Sequence, residues 1–227
     1  MGGTVRDINI SQLGMLFRFY EALGFDRLAV DIPETVSNGG DCLHKEEGLK
    51  RLRAEIGDCR RCRLSGGRTN LVFGEGNPNA WLMFVGEAPG EQEDRQGRPF
   101  VGRAGELLTR LIEKMGFSRE EVYIANTVKC RPPGNRNPME DEIKTCMSFL
   151  EKQIGIIEPA VIMTPGSVAT KALLGDIGSI SRVRGKTFRY KGIPVVPTFH
   201  PSYLLRNPKS KWLTWNDAQV VLKLRES

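Results

Sequence analysis

Residues 81–105 read WLMFVGEAPGEQEDRQGRPFVGRAG: an unbroken apolar run, Trp81–Val85, a loop carrying five glycines, and the start of a helical pattern. A short run that is apolar throughout and bounded by turn residues marks a strand buried on both faces. The motif recurs downstream. VYIANTV (122–128), AVIMTP (160–165) and IPVVPTF (193–199) alternate with helical patterns at 103–115, 138–154, 166–174 and 213–225. Alternation of this kind predicts an α/β fold, a three-layer α/β/α sandwich around a central, mainly parallel four-stranded sheet. FRYKG (188–192) is placed to add an edge hairpin to the last strand.

Upstream of this block the character changes. ISQLGMLFRFYEALG (10–24) repeats Leu13, Leu16, Phe17, Tyr20 and Leu23 at helical spacing, and DIPETVSNGGDC (31–42) reads as a flexible linker. Residues 1–45 are therefore expected to be a helical appendage and linker, and 46–227 the main domain, entered by a helix in EEGLKRLRAEIGDC (46–59). The 227 residues, 40% apolar and 26% charged, suffice for one such domain with a real core. No apolar run is long enough to span a bilayer, and the N-terminus lacks the pattern of a secretory signal. A cytoplasmic protein without membrane association is expected. A net charge of +6 favours polyanionic partners, nucleic acid above all.

In parallel α/β folds ligands sit beyond the carboxyl ends of the strands. Three loops fall there: the one after residue 85, ANTVKCRPP (125–133) and FHPSYLLRNP (199–208). The first has no Gly-Lys-Ser/Thr ending, and Glu87, Glu91, Glu93 and Asp94 would repel a phosphate. It suits a flat polar ligand, with backbone amides and a carboxylate at its edge and Phe100 on its face; a solvated charged loop is the plainer reading. Asn126 ends an otherwise apolar strand, where a buried carboxamide must find both donors and acceptors. It either bonds backbone or reads a bound base. His200 follows a strand and precedes Pro201, a position for an acid, a base, a donor to a developing anion, or a structural group. His44, in the linker, carries no expected role.

Of the five cysteines, Cys59 and Cys62 form a C-x-x-C, Cys130 and Cys146 lie downstream, and Cys42 stands apart. Four thiolates suit zinc or a 4Fe–4S cluster; the wide Cys130–Cys146 spacing is unusual for a zinc ribbon. Arg60, Arg61, Arg63 and Arg131 flank these ligands and could offset their negative charge.

Taken together, GEAPGEQED (86–94), RPFVGRAG (98–105), YIANTVKCRPP (123–133) and HPSYLLRNP (200–208) resemble, in order and content, the motifs of family 4 uracil-DNA glycosylases, the iron–sulfur type of bacteria and archaea. The resemblance covers about residues 48–225. It implies hydrolysis of the N-glycosidic bond of uracil in DNA, giving free uracil and an abasic site for base excision repair. It also implies one 4Fe–4S cluster per chain on Cys59, Cys62, Cys130 and Cys146. Glu87, Ala88 and Pro89 would line the uracil pocket, Phe100 stack on the base, Asn126 read its Watson–Crick edge and His200 bond its O2 oxygen. Several related families carry a water-positioning aspartate where this chain has Ala88; the role then falls to Glu93, with Glu87 the alternative. PSYLLR would approach the DNA, with Leu204 or Leu205 as a wedge. Arg182, Arg184, Lys186, Arg206, Lys209 and Lys211 are candidates for backbone contacts. The expected partner is uracil-containing DNA, single- or double-stranded, bound by a monomer.

Two other classes stay open. One is a zinc-stabilised nucleic-acid-binding module without catalysis. The other is a relative that binds uracil-DNA covalently, known for a basic, histidine-bearing insertion near the Asn126 motif; KCRPPGNRNPMED (129–141) has neither the insertion nor a histidine.

Overall fold

The computed structural model describes residues 38–226, with side chains from 43 to 225. The helix expected at 10–24 and most of the expected appendage lie outside the described residues. The main compact unit runs Gly39–Ser227. Its first helix, α1 (Asn38–Ile56), begins inside the stretch read as linker. His44 therefore sits on a helix.

The strands in chain order are β1 (Glu75–Gly76), β2 (Leu82–Gly86), β3 (Tyr123–Asn126), β4 (Val161–Pro165), β5 (Phe188–Tyr190) and β6 (Ile193–Thr198), joined in one sheet ordered β1-β3-β2-β4-β6-β5. The four central strands are parallel and are the four expected. Two antiparallel edges bring the count to six: β5 is the hairpin partner of β6, and β1 was not foreseen. At two residues, β1 is too short to show alternation.

Every residue of β2, β3 and β4 is buried, as the apolar runs require. Alternate side chains feed two cores. Leu82, Phe84, Ile124, Met163 and Val196 pack against α3 (Arg103–Lys114) and α8 (Lys211–Glu226) through Leu108, Ile112, Ala218 and Val221. Met83, Val85, Tyr123, Ala125, Ile162 and Val195 pack against α1, α4 (Glu140–Ile157) and α5 (Ser167–Leu174) through Leu49, Leu150, Ile154, Ala169 and Leu173. Helices on both faces of a parallel sheet make the three-layer sandwich. The remaining α-helices of the described residues are short: α2 (Glu91–Gln96), α6 (Ile180–Val183) and α7 (Pro201–Arg206). No described helix is long and apolar enough to cross a membrane.

The central strands end at one level. Gly86 pairs with Asn126, and Pro165 with Thr198, so the loops after β2, β3, β4 and β6 open on the same edge. The run expected to be strand through 128 stops at Asn126. Beyond it, Thr127 donates to the Gly86 carbonyl from both its N–H (2.8 Å) and its hydroxyl (2.9 Å), and the Val128 N–H donates to the Glu87 carbonyl.

Candidate active site

A pocket of about 520 Å³ opens at this edge, lined by Glu87, Ala88, Pro89, Glu93, Phe100, Asn126 and His200. The structure thus gathers all the expected ligand-facing residues, from three loops and 114 positions of sequence (87 to 200), into one cavity. It adds Pro132, Asn135, Arg136 and Asn137 from the loop after β3, Gly166 and Ser167 after β4, and Tyr203 and Arg206 on α7. Gly166 and Ser167 were missed, although the carboxyl-end rule applied to β4 points to them.

The four acids behind β2 divide by what their oxygens accept. Glu93 Oε1 takes the N–H groups of Val101 and Gly102, both at 2.9 Å, and Oε2 takes that of Gly90 at 3.2 Å. Asp94 is buried and accepts from Thr69 and Asn70. Glu91 pairs with Arg95 and Arg131 outside the pocket. Glu87 enters none of the hydrogen bonds or ion pairs of the described side chains, and burial pushes its carboxyl up to about 7. Three acids therefore hold the loop, and one faces the cavity uncommitted.

Phe100 has a left-handed backbone, φ 50°, an arrangement a bulky residue adopts only when its surroundings impose it. Gly105 explains how: a Cβ there would stand 1.9 Å from the Phe100 carbonyl oxygen, so only glycine lets the first turns of α3 close on that peptide. The Phe100 ring lies 6.1 Å from the His200 ring, centroid to centroid.

Asn126 is 1% exposed, and its Oδ1 is a buried oxygen without a hydrogen-bond partner. A buried acceptor left unpaired is costly, so a ligand donor is the natural partner. Gly86 makes room for it, because a Cβ at that position would lie 2.4 Å from Oδ1 and 2.6 Å from the Phe100 ring. Gly86→Ala must displace one or both. We expect kcat/KM to fall by about 100-fold while the fold persists, since a misplacement of about 1 Å can cost that much. Steady-state kinetics beside a thermal melt check this; full activity would show that the close approach has no role.

His200 N-caps α7. Its Nδ1 accepts from the Ser202 N–H at 3.1 Å, which leaves the ring proton on Nε2 as a donor. Burial, aided by the Arg206 charge and opposed by Glu93, holds its pKa down at about 4. It is thus a neutral donor near pH 7.

Two expected DNA-contact residues are placed elsewhere. Arg184 binds both Asp217 oxygens and the Leu213 carbonyl, joining the end of α6 to α8. Leu204 is 3% exposed and lines an apolar recess of about 190 Å³ between α3, α7 and α8. A helix that packs one face buries that leucine and turns its neighbours outward, so Tyr203 is exposed at the mouth of the pocket and Leu205 is half-exposed. Arg206 is exposed at the same mouth, and Arg182, Lys186, Lys209 and Lys211 are exposed.

Cys59, Cys62, Cys130 and Cys146 line a second, small recess and are all free thiols. Among the described residues, no three His, Cys, Asp or Glu side chains stand where they could share one ion. Burial raises the Cys146 thiol and pushes Cys130 up to about 11. Arg68 donates to Cys130 Sγ at 3.2 Å and to the Cys59 carbonyl, and Arg61 reaches Cys59 Sγ at 3.5 Å. Of the arginines expected to offset thiolate charge, Arg60, Arg63 and Arg131 instead pair with carboxylates. Arg68, nine residues beyond Cys59, was not foreseen.

Residues 73–219 match the uracil DNA glycosylase superfamily. The chain belongs to that superfamily. Among its relatives, the type-4 uracil-DNA glycosylase of Sulfurisphaera tokodaii is 46% identical over 187 residues, covering 78% of this chain and 85% of the relative. That of Thermotoga maritima is 50% identical over 165 residues, covering 72% and 86%. A third, from Saccharolobus solfataricus, is 48% identical over 184 residues, covering 77% and 85%. Within the superfamily, then, this chain stands with the type-4 members. Its matched span contains the whole pocket, Glu87 through Arg206, together with Cys130 and Cys146; Cys59 and Cys62 precede it.

Proposed function

We propose that the chain hydrolyses the N-glycosidic bond of uracil in DNA, releasing uracil and leaving an abasic site, as the opening step of base excision repair in the cytoplasm. The buried, unpartnered Asn126 Oδ1 carries the reading: it suits the N3–H of an extruded uracil, with Phe100 at hand for the base face. His200 donates from Nε2 to uracil O2 as the leaving base becomes an anion, a charge that a preorganised donor stabilises. Glu87 orients the attacking water. Glu93, whose oxygens already accept three amides, fixes the loop instead. Ala88 and Pro89 shape the wall. Arg206 and the exposed basic residues hold the DNA backbone, and Leu205 with Tyr203 stands where the base leaves the stack. The enzyme acts as a monomer.

The donor set of the second recess fits a cofactor: four free thiols around one space, with guanidinium donors to their sulfurs. Cys59, Cys62, Cys130 and Cys146 would hold a 4Fe–4S cluster. It would supply a structural tie between the segment after α1, the loop after β3, and α4.

Incubation with a uracil-containing oligonucleotide, followed by alkali, tests the activity: strand breaks at uracil support it, and their absence overturns it. A covalent adduct without turnover would favour the DNA-trapping class. The purified protein should be brown, with iron and sulfide at about four each per chain; stoichiometric zinc in a colourless protein would sink the cluster.

The protonation of Glu87 gives a pH signature. With its carboxyl pushed up to about 7, kcat/KM should rise with pH as Glu87 ionises through that value. His200, neutral above about 4, contributes no limb there. Glu93, Arg136, Arg206, Tyr203 and His200 are the other charged or titratable groups lining the cavity. Glu87→Gln should lower kcat and flatten the profile; a profile that keeps its limb would reassign the titration.

A further inference from the structure

Lys129 is among the largest fully buried side chains of the described residues, and the proposed chemistry does not use it. Its ammonium donates to the Asn126 main-chain carbonyl at 2.8 Å and to Gln153 Oε1 at 2.6 Å. Gln153 is itself held by the Phe73 carbonyl (2.9 Å) and the Tyr123 hydroxyl (3.3 Å), so neither acceptor is free to follow a moving lysine. Both acceptors are neutral, and none of the ion pairs among the described residues includes Lys129. A buried cation without an anionic partner is costly.

The missing negative charge lies next door. Lys129 lines the same recess as the four cysteines. As thiols, the cysteines are neutral; as ligands of an iron–sulfur cluster, four thiolates leave a net negative charge beside this ammonium.

We infer that Lys129 is the internal counter-cation of the four-cysteine site and, through its bond to the Asn126 carbonyl, the positioning residue that ties that site to the base-reading carboxamide. The inference rests on the cluster reading above. It explains why a lysine is buried three residues from Asn126 and one from Cys130: its main chain belongs to the ligand loop and its ammonium to the end of β3. Cluster and pocket, which share no residue in their linings, are joined by one side chain.

Two neutral variants of the holoenzyme separate the halves of the proposal. Lys129→Met removes both the charge and the donor. Lys129→Gln removes the charge but keeps an N–H donor for the Asn126 carbonyl. The readouts are iron per chain, the cluster's midpoint potential followed by visible absorbance, and single-turnover excision of uracil. A nearby cation favours the more negative, reduced cluster. Both variants should therefore show a more negative potential than wild type. Excision should fall about tenfold in Lys129→Met, in kcat rather than KM, and stay near wild type in Lys129→Gln. If Lys129→Met does not accumulate as folded protein, Lys129→Gln still carries the test of charge. An unchanged potential in the variants overturns the counter-cation. Unchanged excision in folded Lys129→Met overturns the link to Asn126. An iron-free wild type would instead sink the cluster reading, so the two failures are distinguishable.

Discussion

Asn126→Asp should lose uracil excision by roughly 10³-fold or more and gain a weak activity on cytosine, because sites built on hydrogen bonds to their ligand can reject the wrong one by about 10⁴-fold. Uracil presents an N3–H donor beside an O4 acceptor, and a carboxamide matches both at once. Cytosine presents the reverse, an acceptor at N3 beside an amino donor. The carboxamide can discriminate only if it is held in place. Asn126 is buried at the end of β3, its Oδ1 packs over Gly86, and its carbonyl is tied to Lys129. Facing cytosine, it sets donor against donor and acceptor against acceptor, leaving buried polar groups unpaired. The aspartate removes the NH₂ that donates to O4 and supplies an oxygen that accepts from the cytosine amino group. The gain is small because a carboxylate repels N3 unless one of them is protonated, so lower pH should increase it. Matched oligonucleotides bearing uracil or cytosine provide the assay. Full uracil activity in Asn126→Asp would make Asn126 structural and put base reading elsewhere.

His200→Ala should lower kcat by about 10²- to 10³-fold with little change in KM, the usual consequence of removing one preorganised donor to a developing anion. The structure makes the donor specific. The Ser202 amide occupies Nδ1, so the proton sits on Nε2, and burial holds the ring neutral down to about pH 4. A neutral imidazole donates without first having to be protonated, so its contribution should persist from pH 6 to 9. Loss of the Nδ1 acceptor also removes the N-cap of α7, which costs about 1 kcal/mol. His200→Asn can keep a capping oxygen and separates that structural cost from catalysis. Single-turnover rates at saturating substrate decide the matter. A rise in KM with kcat unchanged would make His200 a binding residue.

The parallel core was legible because fully buried strands have to be apolar throughout, and WLMFV, AVIMTP and their counterparts stand out against helical periodicity. The carboxyl-end rule then picked three of the four loops that line the pocket, before any distance was known. The residue types at the site were legible for a similar reason. An asparagine ending an apolar strand and a histidine between a strand and a proline are polar groups where burial demands a purpose. The four cysteines were countable, and the structure sets them around one recess.

What the chain composition left open was which groups are already engaged. Glu87 and Glu93 look alike in sequence, but three backbone amides occupy Glu93 and none of the described donors reaches the Glu87 side chain. Leu204 and Leu205 are adjacent leucines, and only the packing of α7 decides that the first is buried and the second faces out. Arg184 reads as one more surface cation until Asp217, 33 positions away, takes its guanidinium. Arg68 and Lys129 carry no motif that marks them as neighbours of cysteine sulfur. A hydrogen-bond partner or a counter-charge is a property of three-dimensional proximity, set when distant segments pack. The sequence by itself therefore determined the layers, the functional edge and the chemical vocabulary of the site, whereas the tertiary structure decided which carboxylate, which leucine and which cation remain free to act.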